Sequence, residues 1–434
     1  MQNLLLYLAI YISILLVIAF VVSRREDSED FLISGRNRSS ITILLSKFAG
    51  AVGASYFITY TAYSYQYGLG IFALIPAGII SYLIFAYWAT PKIYKFSREK
   101  RFYTQGDFAE NQLSSSLAKT LTNYITIISQ FAWLLIGIVG GAKIMEYFGL
   151  ISYEYAVLMT ASVVLLYITM AGFKAVLITD IFQSLIILIL LLLLTFNVIG
   201  EISIAEILST PTENMDIATS LGFFLYGFFA VFAYADRYQL CYAAKSAKHA
   251  KHGMSLALIP ILTVWLLLII VGLFIALQSP GLDPDLSFLV AIKDYLPESL
   301  IPVGIVLFFA GLMSSTDTQV YTISSHYVLN KKQTSAPVNK IRLTTIILII
   351  LSIITALIVR DIVKITILSA SISIILSIPM IYLLLGKTNP HRFIGSILGG
   401  GIGLALGIAH FGVEPSIVST VLLGSALGLF YNRR

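Results

Sequence analysis

The sequence predicts an all-α integral membrane protein, a single bundle of about 13 transmembrane helices spanning residues 1–434. Three observations carry this. The chain is 58% apolar and only 12% charged, whereas soluble globular domains carry about 25% charged residues. Apolar runs of about 20 residues, the length that crosses a hydrocarbon layer, recur from end to end. Its 30 glycines and 12 prolines lie among those runs, and bundled membrane helices tolerate both. The lone Cys241 excludes an intrachain disulfide and a thiolate metal cluster. The net charge of +6 does not point to nucleic acid, because the basic residues sit in short loops between apolar segments.

The expected spans are 3–22, 41–66, 71–91, 120–142, 153–170, 174–198, 217–236, 253–278, 300–328, 342–359, 362–385, 392–411 and 415–431. The first, MQNLLLYLAIYISILLVIAFVV, lacks a basic leader and a small-residue cleavage site, so it reads as a retained helix rather than a signal peptide. The shortest run is 153–170, and only Arg360 and Asp361 separate the tenth and eleventh runs. Numbering the first span zero, residues 1–40 form an extra helix and loop. Helices one to five fall in 41–198, six to ten in 199–386, and two more in 387–434. Five is odd, so the two sets enter the membrane from opposite sides, the topology of an inverted repeat. This rests on hydropathy, since the halves share no evident sequence identity.

With the N-terminus outside, the cytoplasmic loops hold 23 of the 28 Lys and Arg residues. Lys143, Lys293, Arg360 and Lys364 fall outside and Lys47 within a span. That asymmetry fixes the expected orientation, with a cytoplasmic C-terminus.

The polar residues inside the spans suggest the chemistry. In helix one, Gly50 and Gly53 bracket the middle of ITILLSKFAGAVGASYFITYTAYSYQ. Either they interrupt the helix and expose carbonyls to a cation, or they allow a close helix contact. In helix eight, at 100° per residue, Gly311, Ser314, Ser315, Thr318, Thr322 and Ser325 share an arc of roughly 100°, with Asp317 about 60° beyond Ser314. Stacked hydroxyls suit a small hard cation. A packing face with back-bonded hydroxyls is the alternative, but it leaves an intramembrane acid costing about 2.5–3.5 kcal/mol unexplained. Asp180 is a second acid, in helix five. Lys47 either snorkels or pairs with Asp180 or Asp317 as a fixed substitute for a mobile cation. Asp236 and Arg237 read as an interfacial pair at the end of helix six. Tyr63, Tyr65 and Tyr67 read as an aromatic belt, while Tyr56, just past the helix-one glycines, is placed to meet a solute. His249 and His252 lie in a basic loop and receive no role.

In this order, DFLISGR, SYFITYTAYSYQYGLG, RFYTQGDFAE, AGFKAVLITDIFQ, YQLCYAAKS and AGLMSSTDTQ resemble the sodium/solute symporter family along nearly the whole chain. The resemblance implies a LeuT-like fold of five plus five helices and Na+ as coupling ion. It implies a sodium site of Ala49, Val52 and Gly311 carbonyls with Ser314 and Ser315 hydroxyls. It also implies a second cation site at Asp180, Asp317 and Thr318, and solute contacts at Ser55 and Tyr56 and within Phe223–Ala230. Departures are informative. The faces IFALIP and GFFLYGFFAVFAY are apolar and aromatic, which argues against a sugar. The usual Gln-Arg after helix six is Gln239-Leu240, with Arg237 one turn earlier, and Lys47 has no family counterpart.

The expected function is sodium-coupled import of a small organic solute, an amino acid or small carboxylate rather than a sugar, by alternating access. One rival is a proton-coupled or uncoupled carrier with Lys47 in the cation's place. Another is a membrane sensor, disfavoured because only YNRR follows the last helix. A channel lacks a ring of pore charges, and an enzyme lacks a His cluster or nucleophile–base pair. The expected partners are the solute, sodium and the lipid bilayer.

Overall fold

A computed structural model describes residues 4–23, 36–51, 54–170, 173–207, 209, 216–330 and 337–431. Val52 and Gly53, and the side chains of Ser55, Asp180 and Asp317, lie outside the described residues. Each of the thirteen expected runs is helical. Among the described residues, eight helical stretches are long and apolar enough to cross a membrane, and five shorter apolar helices accompany them. Among the described residues there is no strand, only one bridge between Arg38 and Ala244.

Helix one is described as two pieces, Ser40–Ala51 and Ala54–Tyr67. A 3-10 turn, Gly68–Ala73, joins the second piece to helix two, which runs to Lys100. Helix six departs from the expected continuous run. It stops at Ala233 and restarts as Ala235–Ala243, with Tyr234 extended at φ −80° and ψ 127° between them. Neither Gly nor Pro causes this. Side chains instead satisfy the carbonyls that the break leaves without helical donors. Gln105 Nε2 donates to the Ala233 carbonyl at 2.9 Å, the Tyr238 hydroxyl to Phe232 at 2.9 Å, and Arg237 Nη1 to Ala230 at 3.3 Å.

The helices pack as two groups. Helix one lies on helix seven (Ala247–Gln278) and helix two on helix six. Helix three (Ser116–Tyr147) packs on helix four (Tyr153–Met170) and helix eight (Ile301–Leu329). Helix nine (Pro337–Ile358) closes that second group against helices four and eight. Helix five (Phe173–Glu201) bridges helices one and eight. Helix ten, Ile362–Ile374 with Ser377–Leu384, leans on helices three and six. The last two helices, Pro390–Phe411 and Ile417–Gly428, form a close hairpin.

Small residues set several close crossings. At Gly272 of helix seven, an added Cβ would overlap the Ser64 hydroxyl and the Thr61 carbonyl of helix one. Backbone cannot yield as a side chain can, so Gly272→Val should destabilise the fold by about 1–3 kcal/mol. Gly401→Val, where nothing lies within 4 Å, is the matched control. Melting of the detergent-solubilised proteins measures both, and equal behaviour would count against this packing.

Candidate functional site

The break of helix six and the two described pieces of helix one meet at a cavity of about 800 Å³, its mouth included. Ser46, Lys47 and Gly50 line it from the end of the Ser40–Ala51 helix, and Tyr56 from the next piece. Helix three adds Gln130 and Trp133; helix six adds Tyr234, Asp236 and Arg237; helix eight adds Thr318, Gln319 and Thr322.

Charge inside this cavity is arranged differently from expectation. Lys47 is 4% exposed, and its Nζ lies 2.5 Å from Asp236 Oδ2. The partner among the described side chains is therefore Asp236; those of Asp180 and Asp317 are not among them. Asp236 and Arg237 are not an interfacial pair: the helix-six break turns the short helix that carries them into the cavity wall. Arg237 is 9% exposed. Its guanidinium lies 4.9 Å from the Tyr234 ring centroid and 6.0 Å from that of Tyr82. Its Nε has no hydrogen-bond partner among the described residues. The described lining thus holds two cations and one anion.

Tyr56, stacked on Trp133 at 6.1 Å, separates this cavity from a second chamber of about 470 Å³. Tyr60, Tyr63, Phe223 and Tyr226 wall the second chamber. Tyr63 and Tyr67 are buried, and Tyr65 is held by bonds to Ser279 and Leu282, so these tyrosines are interior groups rather than a belt. Tyr67 donates to Glu414 at 2.6 Å, in the loop between the last two helices.

The helix-eight stripe divides. Ser325 donates back to Thr322, as a packing face would. Gly311, Ser314 and Ser315 are buried on helix eight, which packs on helix one among others, and Ala49 is buried at the end of the first helix-one piece. Ser315 Oγ is buried with no hydrogen-bond partner among the described residues. An unpaired buried hydroxyl costs roughly 1–3 kcal/mol, and a cation ligated there relieves that cost. The hydroxyl therefore fits the implied ion. Of the second set, Thr318 reaches the cavity, while the Asp180 and Asp317 side chains lie outside the described residues. So do Val52 and the Ser55 side chain.

On the acidic side, away from most of the Lys and Arg residues, Asp285 binds three elements together. It pairs with Lys143 of helix three at 2.5 Å and accepts from the Ile362 and Val363 amides, 2.8 and 3.2 Å away, at the start of helix ten. Burial pushes its carboxyl above the usual range, against the pull of Lys143. Asp285→Asn should lower stability by about 1–3 kcal/mol, since Lys143 loses its buried partner. Lys143→Met should recover part of that loss, read from melting curves. A neutral Asp285→Asn would remove the clamp from the description.

Sequence reasoning missed Gln130, Trp133 and Gln319 as lining residues. They are ordinary members of apolar or polar helical runs, and only the packing of helices three and eight points them inward.

The model of the "Sodium:solute symporter family" matches residues 31–386. The sodium/pantothenate symporter of Haemophilus influenzae is 24% identical over 352 residues, covering 75% of this chain and 71% of that protein. A sodium/proline symporter of Staphylococcus aureus is 26% identical over 232 residues, covering 50% of this chain and 44% of that one. Among solved structures, a Na+-coupled sialic acid symporter in a substrate-bound outward-open state superposes with a TM-score of 0.80 at 15% identity, covering 99% and 98% of the two chains. The nucleobase-cation-symport-1 family transporter Mhp1, closed with bromovinylhydantoin bound, superposes with a TM-score of 0.67 at 12% identity, covering 92% of each. The fold is therefore the LeuT-like inverted repeat.

Proposed function

The chain belongs to the sodium:solute symporter family, and on that premise we propose that it imports a small organic solute, an amino acid or small carboxylate rather than a sugar, with sodium. The observation that carries this reading is the Ser315 hydroxyl, buried without a hydrogen-bond partner among the described residues on a helix that packs against helix one. Carbonyls of Ala49, Val52 and Gly311 and hydroxyls of Ser314 and Ser315 take the ion. Asp180, Asp317 and Thr318 are the second cation set. Ser55 and Tyr56 meet the solute. Pantothenate and proline, the solutes named for two relatives, each carry a carboxylate.

The ion and the solute prefer the same state of the bundle, so each raises the affinity of the other. Helices one, two, six and seven rock against three, four, eight and nine, and so expose the cavity to either side in turn. The N-terminus lies outside and the C-terminus in the cytoplasm. At 100 mV and a tenfold gradient, one sodium supplies about 2.3 plus 1.4 kcal/mol, enough for accumulation of several hundredfold.

A carrier that uses Lys47 in place of sodium is the second reading. The Lys47 ammonium bonds to Asp236 rather than to the helix-eight hydroxyls, which favours sodium. Uptake into proteoliposomes should be strong in a sodium gradient and near background in potassium, for the parent and for Lys47→Met. Equal parental uptake in both salts would overturn the sodium reading.

A further inference from the structure

We propose that the transported solute is a monocarboxylate with an apolar body, and that the site rejects solutes carrying an α-ammonium. This rests on the carrier reading above and narrows its substrate.

Arg237 supplies the anion-binding edge. Its Nη1 is committed to the Ala230 carbonyl at the helix-six break, and the rings of Tyr234 and Tyr82 flank the guanidinium. On the opposite edge, Nε is buried and makes no hydrogen bond to a described residue. A carboxylate matches that edge with two parallel bonds. The side chain is nine-tenths buried and lines the cavity, so the bonds form away from bulk water, where they discriminate most.

Lys47 supplies the rejection. The described cavity lining contains one acid, Asp236, and its Oδ2 is occupied by Lys47. An amino acid brings an ammonium that needs an anion. A solute ammonium would have to share Asp236 with a lysine that is 4% exposed, and displacing that lysine would leave an unpaired buried charge, which is strongly unfavourable. A monocarboxylate makes no such demand.

The second chamber accounts for the body. Beyond the Tyr56–Trp133 stack it is walled by Tyr60, Tyr63 and Phe223. Its unpartnered buried polar atoms among the described residues are Trp133 Nε1 and Ser371 Oγ. A branched aliphatic or aromatic group fills such a space, with room for one hydrogen-bond acceptor.

Two matched sets of solutes test this on the purified full-length protein. The first is 3-phenylpropionate, its amide and L-phenylalanine; the second is 4-methylvalerate, its amide and L-leucine. Propionate serves as the carboxylate without a body. Affinities come from thermal shifts in sodium and in potassium. At least one of the two carboxylates should bind on the order of tenfold or more tighter than its amide, its amino acid and propionate. Arg237→Gln should lose that binding while keeping the stabilisation by sodium alone, and Lys47→Met should gain binding of the amino acid. The proposal is overturned if an amino acid or amide equals its carboxylate. It also fails if Arg237→Gln leaves binding unchanged, or if neither set binds while sodium stabilises. Sodium stabilisation without solute reports separately on the carrier reading; its absence sinks that reading, while the carboxylate preference in potassium still decides the substrate class.

Discussion

Replacing Ser314 and Ser315 together by alanine should lower apparent sodium affinity by about 100-fold or more. A hydrogen bond or ligand contact to a charged group contributes roughly 1.5–3 kcal/mol, and two are removed. Both serines are buried, at 5% and 4% exposure, so water does not readily replace the lost oxygens. Sodium-dependent uptake should fall to background at physiological salt, and stabilisation by sodium should disappear from melting curves. Ser325→Ala is the control. That hydroxyl is satisfied by the Thr322 carbonyl and should leave the sodium response intact. If the double variant still answers to sodium as the parent does, the ion binds elsewhere.

The second large effect concerns the Lys47–Asp236 pair. Asp236→Asn leaves the Lys47 ammonium without its partner at 4% exposure. Breaking a buried pair from one side costs about 3–5 kcal/mol. Asp236 is 32% exposed and faces the cavity, which argues for the lower end of that range. Lys47→Met with Asp236→Asn should recover most of the loss, because the uncompensated charge is gone. A double-mutant cycle on melting temperatures measures the coupling. Additive losses in that cycle would mean that the two groups do not stabilise one another.

The spans were legible because lipid imposes length and apolarity on each of them, independent of partners. Helix eight was also legible in outline: its hydroxyls share one face, although Ser325 turned out to bond to its own helix. The break in helix six was not. Its stretch FAYADR contains no residue that disfavours a helix as Gly or Pro does, and its stabilising donor Gln105 lies 128 positions away. Asp236 and Arg237 were misplaced for the same reason. In a straight helix they fall at the membrane surface; after a break at Tyr234 they enter the cavity. Lys47 announced itself as a buried charge, but its partner could not be read before that break was known. Tyr63 and Tyr67 look like interface anchors until the final hairpin, through Glu414 and Pro415, covers them.

The way the helix-six break is satisfied also bears on biogenesis. Gln105 lies between helices two and three and is synthesised long before Ala233, whereas Tyr238 and Arg237 follow it by a few residues. A segment released into lipid with bare carbonyls at 230, 232 and 233 pays several kcal/mol for each. Helix six is therefore best delivered against an already inserted amino-terminal half, and its kink is a product of docking rather than a property of the nascent segment.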